Sequence, residues 1–326
     1  MALVLTETDV RMLVSMDDLI DTMATSLATF SAGGVSQPVR SVVEIAPRRA
    51  VLAAMPAYIS APPALGAKLV SVYPANQARD LASHLATILL LDPETGELLA
   101  MMDGRYLTEA RTAAVSAVSA RALALDAPAT LAILGSGVQA RSHLDALGRV
   151  RPLAEVRVWS PTRANRERFA REMAPRTGAP IRVAATAERA VHGANLIALV
   201  SAATEPIVKS EWIADGAHIC AVGACRPTHR EMDGALVARA RLIVDSRAGA
   251  LAEAGDLVLA IQEGRVGPDH IVAELGEVVA GRAAGRTSSV QVTVFKSLGM
   301  AVEDVAAAHL VYQRACERGL GRGVAL

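Results

Sequence analysis

The sequence predicts an α/β fold in which a doubly wound parallel sheet is joined to an α+β domain. Downstream of Pro128, six short apolar runs alternate with helical segments. The runs are continuous rather than alternating in polarity, which is typical of strands covered on both faces. They lie at residues 131–134, 155–159, 181–184, 196–200, 218–222 and 242–244. This strand-then-helix repetition predicts a parallel sheet with helices on either side.

The residues upstream of Pro128 show a mixed pattern. Apolar residues recur at spacings of three and four over residues 8–30, which indicates an amphipathic helix. Four β-rich runs follow at 41–45, 50–55, 66–73 and 85–91, separated by turn-forming residues at 61–63 and 92–96. A further helix is expected to begin at Thr108, acting as its N-cap, and to end near residue 125. An α+β first domain accounts for this pattern.

The chain of 326 residues is long enough for two domains, because an ordinary domain holds roughly 150 residues. Residues 121–289 are expected to form the parallel-sheet domain. The apolar run at 290–295 and an amphipathic helix at 300–316 fall outside the six-strand count. Residues 290–326 are therefore expected to return to the first domain and to complete it together with residues 1–120.

Composition excludes several classes of partner. Lysine plus arginine equals aspartate plus glutamate at 33 each and only 3% of residues are aromatic, so no basic, base-stacking surface for nucleic acid is indicated. The three cysteines form no CxxC pair, which argues against a disulfide framework or a metal site. The N-terminus lacks a basic n-region, and no apolar stretch reaches the ~18 residues that span a bilayer. We expect a cytoplasmic protein without membrane partners.

A glycine-rich turn follows the first run of the predicted parallel sheet. In the segment LAILGSGVQA at 131–140, Gly135 permits a tight turn and Gly137 lets the backbone approach a pyrophosphate. Ala140 keeps the following helix close to the strand, and the N-terminus of that helix offers free N–H groups to phosphates. With five further strands behind it, this turn predicts a Rossmann domain that binds a nicotinamide dinucleotide.

The end of the second predicted strand bears on the choice of cofactor. Sites that prefer NAD usually carry an acidic residue there, which accepts from the ribose 2′-hydroxyl. This chain has Ser160, Thr162 and Arg163 instead, and hydroxyl and guanidinium groups suit a 2′-phosphate. The same residues would also fit a solvated helix start. NADP(H) is the expected cofactor, and NAD(H) remains possible.

Seven further strings, together with the glycine turn, resemble the ornithine cyclodeaminase and μ-crystallin family in family order over nearly the whole chain. They are QPVR at 37–40, GAKLVSVYPAN at 66–76, SHLAT at 83–87, MDG at 102–104, LTEARTAA at 107–114, VGACRP at 222–227 and VFKSLGMAVED at 294–304. The resemblance implies a homodimer whose first domain supplies the dimer contacts and half of the active site. It also places the nicotinamide in a cleft between the domains.

The resemblance implies that Arg40, Lys68 and Arg111 hold the α-carboxylate of the substrate. Two guanidinium groups and an ammonium can bind a carboxylate and leave the α-carbon open to hydride. Lys68 is the expected catalytic residue, because it could donate or relay a proton near the imine nitrogen. His84 is expected beside the substrate. Each has a structural alternative: a loop charge for Arg40, an exposed helical charge for Arg111, an edge-strand guard for Lys68 and a satisfied core imidazole for His84.

The residues expected to bind the cofactor come from the glycine turn, the second strand end and positions that the resemblance adds. They are Ser83, Thr112, Gly135, Ser136, Gly137, Val138, Gln139, Ser160, Thr162, Arg163, Ser201, Val222 and Ala224. Asp103 is expected to form a turn. Glu231 and Asp233 are expected at the start of the helix after Pro227.

The branch of the family depends on Cys225. Cyclodeaminases of the family, and the alanine dehydrogenases that resemble them, carry an aspartate there, which handles the proton of the substrate amine. A thiol with a pKa near ~8.5 is a poor substitute at neutral pH. The resemblance therefore favours an NAD(P)H-dependent reductase of small imino acids, such as the cyclic ketimines pyrroline- or piperideine-2-carboxylate, that yields L-amino acids. An ornithine cyclodeaminase and a non-catalytic NADP(H)-binding protein remain alternatives.

Overall fold

The computed structural model describes residues 1–79 and 81–325. These residues form two compact units, one made of residues 1–111 and 299–326 and the other of residues 112–298. The strands, in chain order, are β1 Ala2–Leu5, β2 Val35–Ser36, β3 Ser41–Ile45, β4 Ala50–Ser60, β5 Pro63–Val72, β6 His84–Leu91, β7 Leu98–Asp103, β8 Ala129–Leu134, β9 Leu153–Trp159, β10 Ile181–Val183, β11 Leu196–Leu199, β12 His218–Ala221, β13 Arg241–Val244, β14 Ile271–Glu274, β15 Thr293–Lys296 and β16 Arg322–Val324.

The α-helices of the described residues lie between these strands. They are α1 Glu7–Leu13, α2 Met16–Ser31, α3 Arg105–Leu123, α4 Val138–Val150, α5 Arg163–Met173, α6 Ala187–Val191, α7 Gly234–Arg239, α8 Arg247–Glu253, α9 Gly255–Gln262, α10 Leu275–Val279 and α11 Ala301–Arg318. Within the described residues, none of these helices combines the length and the apolar composition that crossing a bilayer requires.

The first unit is built on an eight-stranded sheet. Its strand order is β16-β1-β7-β6-β5-β4-β2, with β3 also paired to β4, and all pairs except β1 with β7 are antiparallel. Helix α11 packs on β4, β5, β6 and α2. Residues alternate between the two faces of each strand, so Lys68 faces inward while its neighbour Leu69 is exposed.

The second unit is a doubly wound parallel sheet, as predicted. Its order is β10-β9-β8-β11-β12-β15-β13-β14, and the chain reverses direction across the sheet between β8 and β11. One buried apolar cluster joins the sheet to α4 and α5, and a second joins it to α6, α7, α8 and α9. Ligands of such sheets bind at the carboxyl ends of the strands, beside the point of reversal.

The C-terminal part of the chain differs from the expectation. The run at 290–295 overlaps β15, which lies between β12 and β13 in the second unit, and β14 was not predicted. Both expected domain boundaries, 120/121 and 289/290, lie inside the second unit. Val294 and Phe295 have no exposed surface, because the strand is central and covered on both faces. When a central strand comes from a distant segment, the sequence around it does not indicate which strands it will pair with.

Two local predictions about helices were also wrong. Residues 8–30 form two helices, because the side chain of Ser15 accepts a hydrogen bond from Asp18 N and begins α2 there. Helix α3 begins at Arg105, and Thr108 lies within it. The carboxylate of Asp103 accepts from Arg105 N at 3.0 Å, so Asp103 is the turn-forming residue that the sequence predicted.

Candidate active site

The first unit brings the three predicted carboxylate-binding cations to the start of α11. Lys68 Nζ lies 2.5 Å from Asp304 Oδ2, and Arg111 Nε donates to Asp304 Oδ1 at 2.9 Å. Arg111 Nη1 also donates to Glu303. Lys68 and Arg111 are 2% and 4% exposed, and the two acidic residues have no exposed surface. The structure therefore excludes the alternatives of an exposed Arg111 and an edge-strand Lys68, since β5 also lies between β4 and β6.

Arg40 reaches the same place from the loop between β2 and β3. Its Nη2 donates to the carbonyl oxygen of Gly299 at 3.1 Å, and the nearby Gln37 Oε1 accepts from Val302 N at 2.9 Å. Gly299 has φ +79°, and a Cβ there would lie 2.7 Å from Nη1 of Arg111. A glycine is therefore required for Arg111 to pack against the backbone that precedes α11.

Glu303 and Asp304 are site residues that the sequence reasoning missed, although both lie in one of the resemblance strings. Acidic residues in the first turn of a helix are common, because they interact favourably with the helix dipole. That ordinary role gives no hint that they pair with cations far away in the chain. The three cations and the two carboxylates thus form one cluster at the start of α11.

Burial and charge set the protonation of this cluster. Burial lowers the pKa of Lys68 to about 8, with Arg111 acting in the same direction and Asp304 opposing both. The pKa of Asp304 is lowered, because Arg111 and Lys68 outweigh the effect of its burial. Lys68 is consequently protonated at pH 7, but its pKa lies close enough to neutrality for proton donation.

His84 lies at the start of β6, opposite Val72 in the neighbouring β5. Its side chain retains exposed area, yet desolvation by the surrounding protein, followed by the charges of Lys68 and Arg111, lowers its pKa to about 4. The imidazole is therefore neutral at pH 7. Of the predicted cofactor residues, Ser83 belongs to the first unit, and Thr112 begins the second.

The glycine turn of the second unit has the geometry that a dinucleotide needs. Gly135 has φ +132°, and a Cβ there would lie 2.5 Å from the carbonyl oxygen of Val200. Gly137 is the N-cap of α4, where no side chain caps the helix, and a Cβ on Gly137 would meet nothing within 4 Å. Oε1 of Gln139, in the first turn, is buried and has no partner among the described residues. Open space and free N–H groups fit a pyrophosphate.

The predicted residues at the end of β9 lie beside this turn. Ser136 Oγ donates to Ser160 Oγ at 3.0 Å, which joins the ends of β8 and β9. Thr162 is the N-cap of α5, but its side chain makes no capping hydrogen bond. Arg163 is 81% exposed and pairs with Glu167 one turn further along α5. The position that follows β9 directly, where an acidic residue would favour NAD, is occupied by Ser160.

The turns after β11 and β12 hold the remaining predicted cofactor residues. Of the two acidic residues expected at the start of the helix after Pro227, only one lies there. Asp233 caps α7 by accepting from Leu236 N at 2.8 Å, as predicted. Glu231 does not decorate that helix. It is fully buried, and its carboxylate accepts from Ser201 N at 2.8 Å and from Gly223 N at 2.8 Å. The sequence offered no signal for this role, because Ser201 lies 30 residues away and no local pattern links Glu231 to the turn at Gly223.

Val222 and Ala224 are buried in the turn that follows β12. Cys225 comes next and is partly buried, and its thiol donates to the carbonyl oxygen of Val222 at 3.2 Å. The position at which the family resemblance expects an aspartate in cyclodeaminases therefore holds a thiol that is engaged with the backbone.

Comparisons with known proteins match nearly the whole chain to one family. A family model described as ornithine cyclodeaminase/mu-crystallin family matches residues 1–319. The ketimine reductase mu-crystallin of Mus musculus is 47% identical over 297 residues, covering 90% of this chain and 91% of the relative. A Delta(1)-pyrroline-2-carboxylate reductase of Bacillus cereus is 36% identical over 323 residues, covering 99% of each.

Two solved structures share the fold of the whole chain. The Delta(1)-pyrroline-2-carboxylate reductase of Thermococcus litoralis, in complex with NADH and L-proline, superposes with a TM-score of 0.96 at 37% identity and covers 99% of this chain and 100% of its own. An archaeal alanine dehydrogenase dimer with bound NAD gives 0.94 at 31% identity, with 99% of each chain covered. The chain belongs to the ornithine cyclodeaminase/μ-crystallin family.

Proposed function

We propose that the protein is an NAD(P)H-dependent reductase that converts small imino acids to L-amino acids, with cyclic ketimines such as pyrroline-2-carboxylate or piperideine-2-carboxylate as substrates. The observation that carries the proposal is the cluster at the start of α11, where the buried Lys68 and Arg111 pair with Asp304 and Glu303 and the partly buried Arg40 donates to Gly299. Guanidinium and ammonium groups gathered in this way are suited to bind the carboxylate of an imino acid. The family relatives named as ketimine and pyrroline-2-carboxylate reductases support this substrate class.

In this proposal the residues of the chain bind and orient the substrate. The guanidinium groups of Arg40 and Arg111 donate to the substrate carboxylate, while Asp304 and Glu303 hold Arg111 in place. The ammonium of Lys68, with its pKa lowered to about 8, supplies a proton to the imine nitrogen. The reduced nicotinamide, when bound at the glycine turn, supplies the hydride. A protonated imine is already electrophilic, so orientation is the main requirement.

Turnover of an imine panel tests the proposal. Wild-type protein with NADPH or NADH should reduce pyrroline- and piperideine-2-carboxylate, and comparison with the acyclic iminosuccinate defines the substrate class. Arg40→Ala should lower kcat/KM by roughly 10- to 100-fold, because it removes one charged donor to the substrate carboxylate. Arg40 is a better target than Arg111, whose removal would leave Glu303 and Asp304 buried without their cation.

The matched control is Arg48→Ala, which removes an exposed arginine from the same unit. Its kcat/KM should equal that of the wild type. A wild type that turns over none of the imines, or an Arg40→Ala variant with unchanged kcat/KM, would contradict the proposal.

The expected cofactor is NADP(H) in preference to NAD(H). Ser160 offers no negative charge to repel a 2′-phosphate, and the exposed Arg163 can exchange Glu167 for that phosphate. The reduced cofactors should therefore bind with a lower Kd for NADPH. Arg163→Ala should weaken NADPH binding about tenfold and leave NADH unchanged, since it removes one charge-assisted contact.

Fluorescence titration of both cofactors measures these constants. Arg168→Ala, which removes another exposed arginine of α5, is the control and should bind both cofactors normally. Tighter binding of NADH by the wild type, or equal loss of both cofactors in Arg163→Ala, would show that Arg163 does not contact the 2′-phosphate.

Cys225 separates a reductase from an ornithine cyclodeaminase. A cyclodeaminase must take a proton from an α-ammonium before hydride can leave, and this requires a base that is ionised at pH 7. The Cys225 thiol instead donates to Val222. We therefore expect no ammonia from L-ornithine with NAD or NADP, under conditions where ketimine reduction is robust. Formation of proline and ammonia, measured by coupled assay, would place the protein in the cyclodeaminase branch.

The protein is further proposed to be a homodimer that associates through the sheet face opposite α11. Along β4, β5, β6 and β7 this face exposes Leu52, Tyr58, Leu69, Leu85 and Met101, whose strands pair in register. Contiguous apolar surface of this kind on a sheet marks an association site. The archaeal neighbour is described as a dimer, which supports a second copy of the chain as the occupant.

Leu69→Glu should dissociate the dimer, because it places a charge in the apolar face without disturbing the interior of the unit. Light scattering after size-exclusion chromatography measures the mass. Met12→Glu, on the exposed surface of α1, is the control and should remain dimeric. A dimeric Leu69→Glu protein would exclude this face as the interface.

A further inference from the structure

Glu231 joins the ends of two neighbouring parallel strands. Its Oε1 accepts from both the amide and the hydroxyl of Ser201, at 2.8 and 2.7 Å, and its Oε2 accepts from Gly223 N at 2.8 Å. Ser201 follows β11 and Gly223 follows β12. A Cβ on Gly223 would lie 2.6 Å from Glu231 Oε1, so the second turn packs directly against the carboxylate.

A second buried carboxylate holds Glu231 itself in place. Asp256, at the start of α9, accepts from Glu231 N at 2.8 Å and from Met232 N at 3.0 Å. Lys296, at the end of β15, donates to the other oxygen of Asp256 at 3.0 Å. The three side chains are each 2% exposed or less. The network therefore ties together the carboxyl ends of β11, β12 and β15.

The position of these turns suggests what the network does. Strand β11 lies beside β8, whose carboxyl end carries the glycine turn, and the reversal of the chain falls between these two strands. Ligands of doubly wound sheets bind at this edge. A ligand that contacts turns already held in one conformation loses less binding free energy to ordering them.

We propose that Glu231 is a positioning residue that fixes the turns at Ser201 and Gly223 in the conformation that binds the nicotinamide cofactor. The inference rests on the proposed function, because it requires the glycine turn to bind a reduced dinucleotide. Glu231 acts through the backbone of the two turns and does not itself need to touch the cofactor.

The ionisation of Glu231 is expected to change near neutral pH. Burial and the nearby Asp256 raise its pKa to about 7, while Lys296 and the hydrogen bonds from Ser201 oppose that shift. The groups that face it are thus Asp256 from α9 and Lys296 from β15, with Cys225 acting on Lys296. Protonation below pH 7 weakens an acceptor whose neighbours are N–H and O–H donors, so the turns should loosen as the pH falls.

Glu231→Gln tests the proposal at pH 8, where the wild-type carboxylate is ionised. The glutamine oxygen can still accept from Ser201, but its amide group would face the N–H of Gly223, donor against donor. The Kd for NADH should rise about tenfold or more, as expected for a lost charge-assisted bond. The Tm should be retained, because the substitution also removes repulsion from Asp256.

Asp233→Asn is the matched control, two residues away, since Asp233 holds the backbone amides of Leu236 and Ser210 rather than the strand ends. Its NADH Kd should stay within about twofold of the wild type even if its Tm falls. Equal weakening in both variants, or none in Glu231→Gln, would overturn the proposal. A wild type that binds no reduced dinucleotide would instead overturn the proposed function.

The pH dependence of NADH binding supplies a second test, first in the wild type and then in Glu231→Gln. The wild-type Kd for NADH, which lacks the titrating 2′-phosphate of NADPH, should rise as the pH falls from 8 to 6. The profile of Glu231→Gln should be flat over the same range. A flat wild-type profile, or a slope that persists in Glu231→Gln, would show that ionisation of Glu231 does not set the conformation of the turns.

Discussion

The carboxylate of Asp304 pairs with two buried cations at once, Lys68 at one oxygen and Arg111 at the other. Neither cation could be buried alone, because an unpaired charge in a protein interior costs several kcal/mol, about 3–5 where one partner of a pair is removed. Asp304 thus allows the first unit to hold fixed positive charge away from water. Arg40 and the backbone that precedes α11 are arranged around this ion pair.

The second unit buries carboxylates, where the first unit buries cations. Polar backbone groups at the ends of β11 and β12 need acceptors, and Glu231 provides them from a buried position. Asp256 then satisfies the backbone of Glu231, and Lys296 balances the charge of Asp256. Both units therefore contain buried ion pairs, in the first unit between the sheet and α11 and in the second at the carboxyl ends of parallel strands. In such pairs each polar atom needs a partner, so geometry is fixed more strictly than apolar packing would fix it.

Much of the fold could be predicted from local pattern. Continuous apolar runs identified six strands of the parallel sheet, and Gly135 and Gly137 identified the turn that fits a pyrophosphate. Strand β15 was assigned to the wrong unit, because strand pairing between residues far apart in the chain has no local signature. Thr108 was wrongly expected to cap α3, since Asp103, which the pattern identified only as a turn former, lies close enough to accept from Arg105 N.

The sequence by itself identified the family and the α/β class. It also identified Arg40, Lys68 and Arg111 as candidate carboxylate-binding residues, because these predictions depend on residue identity and short spacing. The tertiary structure alone decided which charges those cations meet. Glu303 and Asp304 are ordinary first-turn acidic residues in the sequence, and Glu231 has the pattern of a helix start. Their roles arise because folding brings groups far apart in the chain, such as Arg111 and Asp304 at a separation of 193 residues, within hydrogen-bonding distance and removes the water between them.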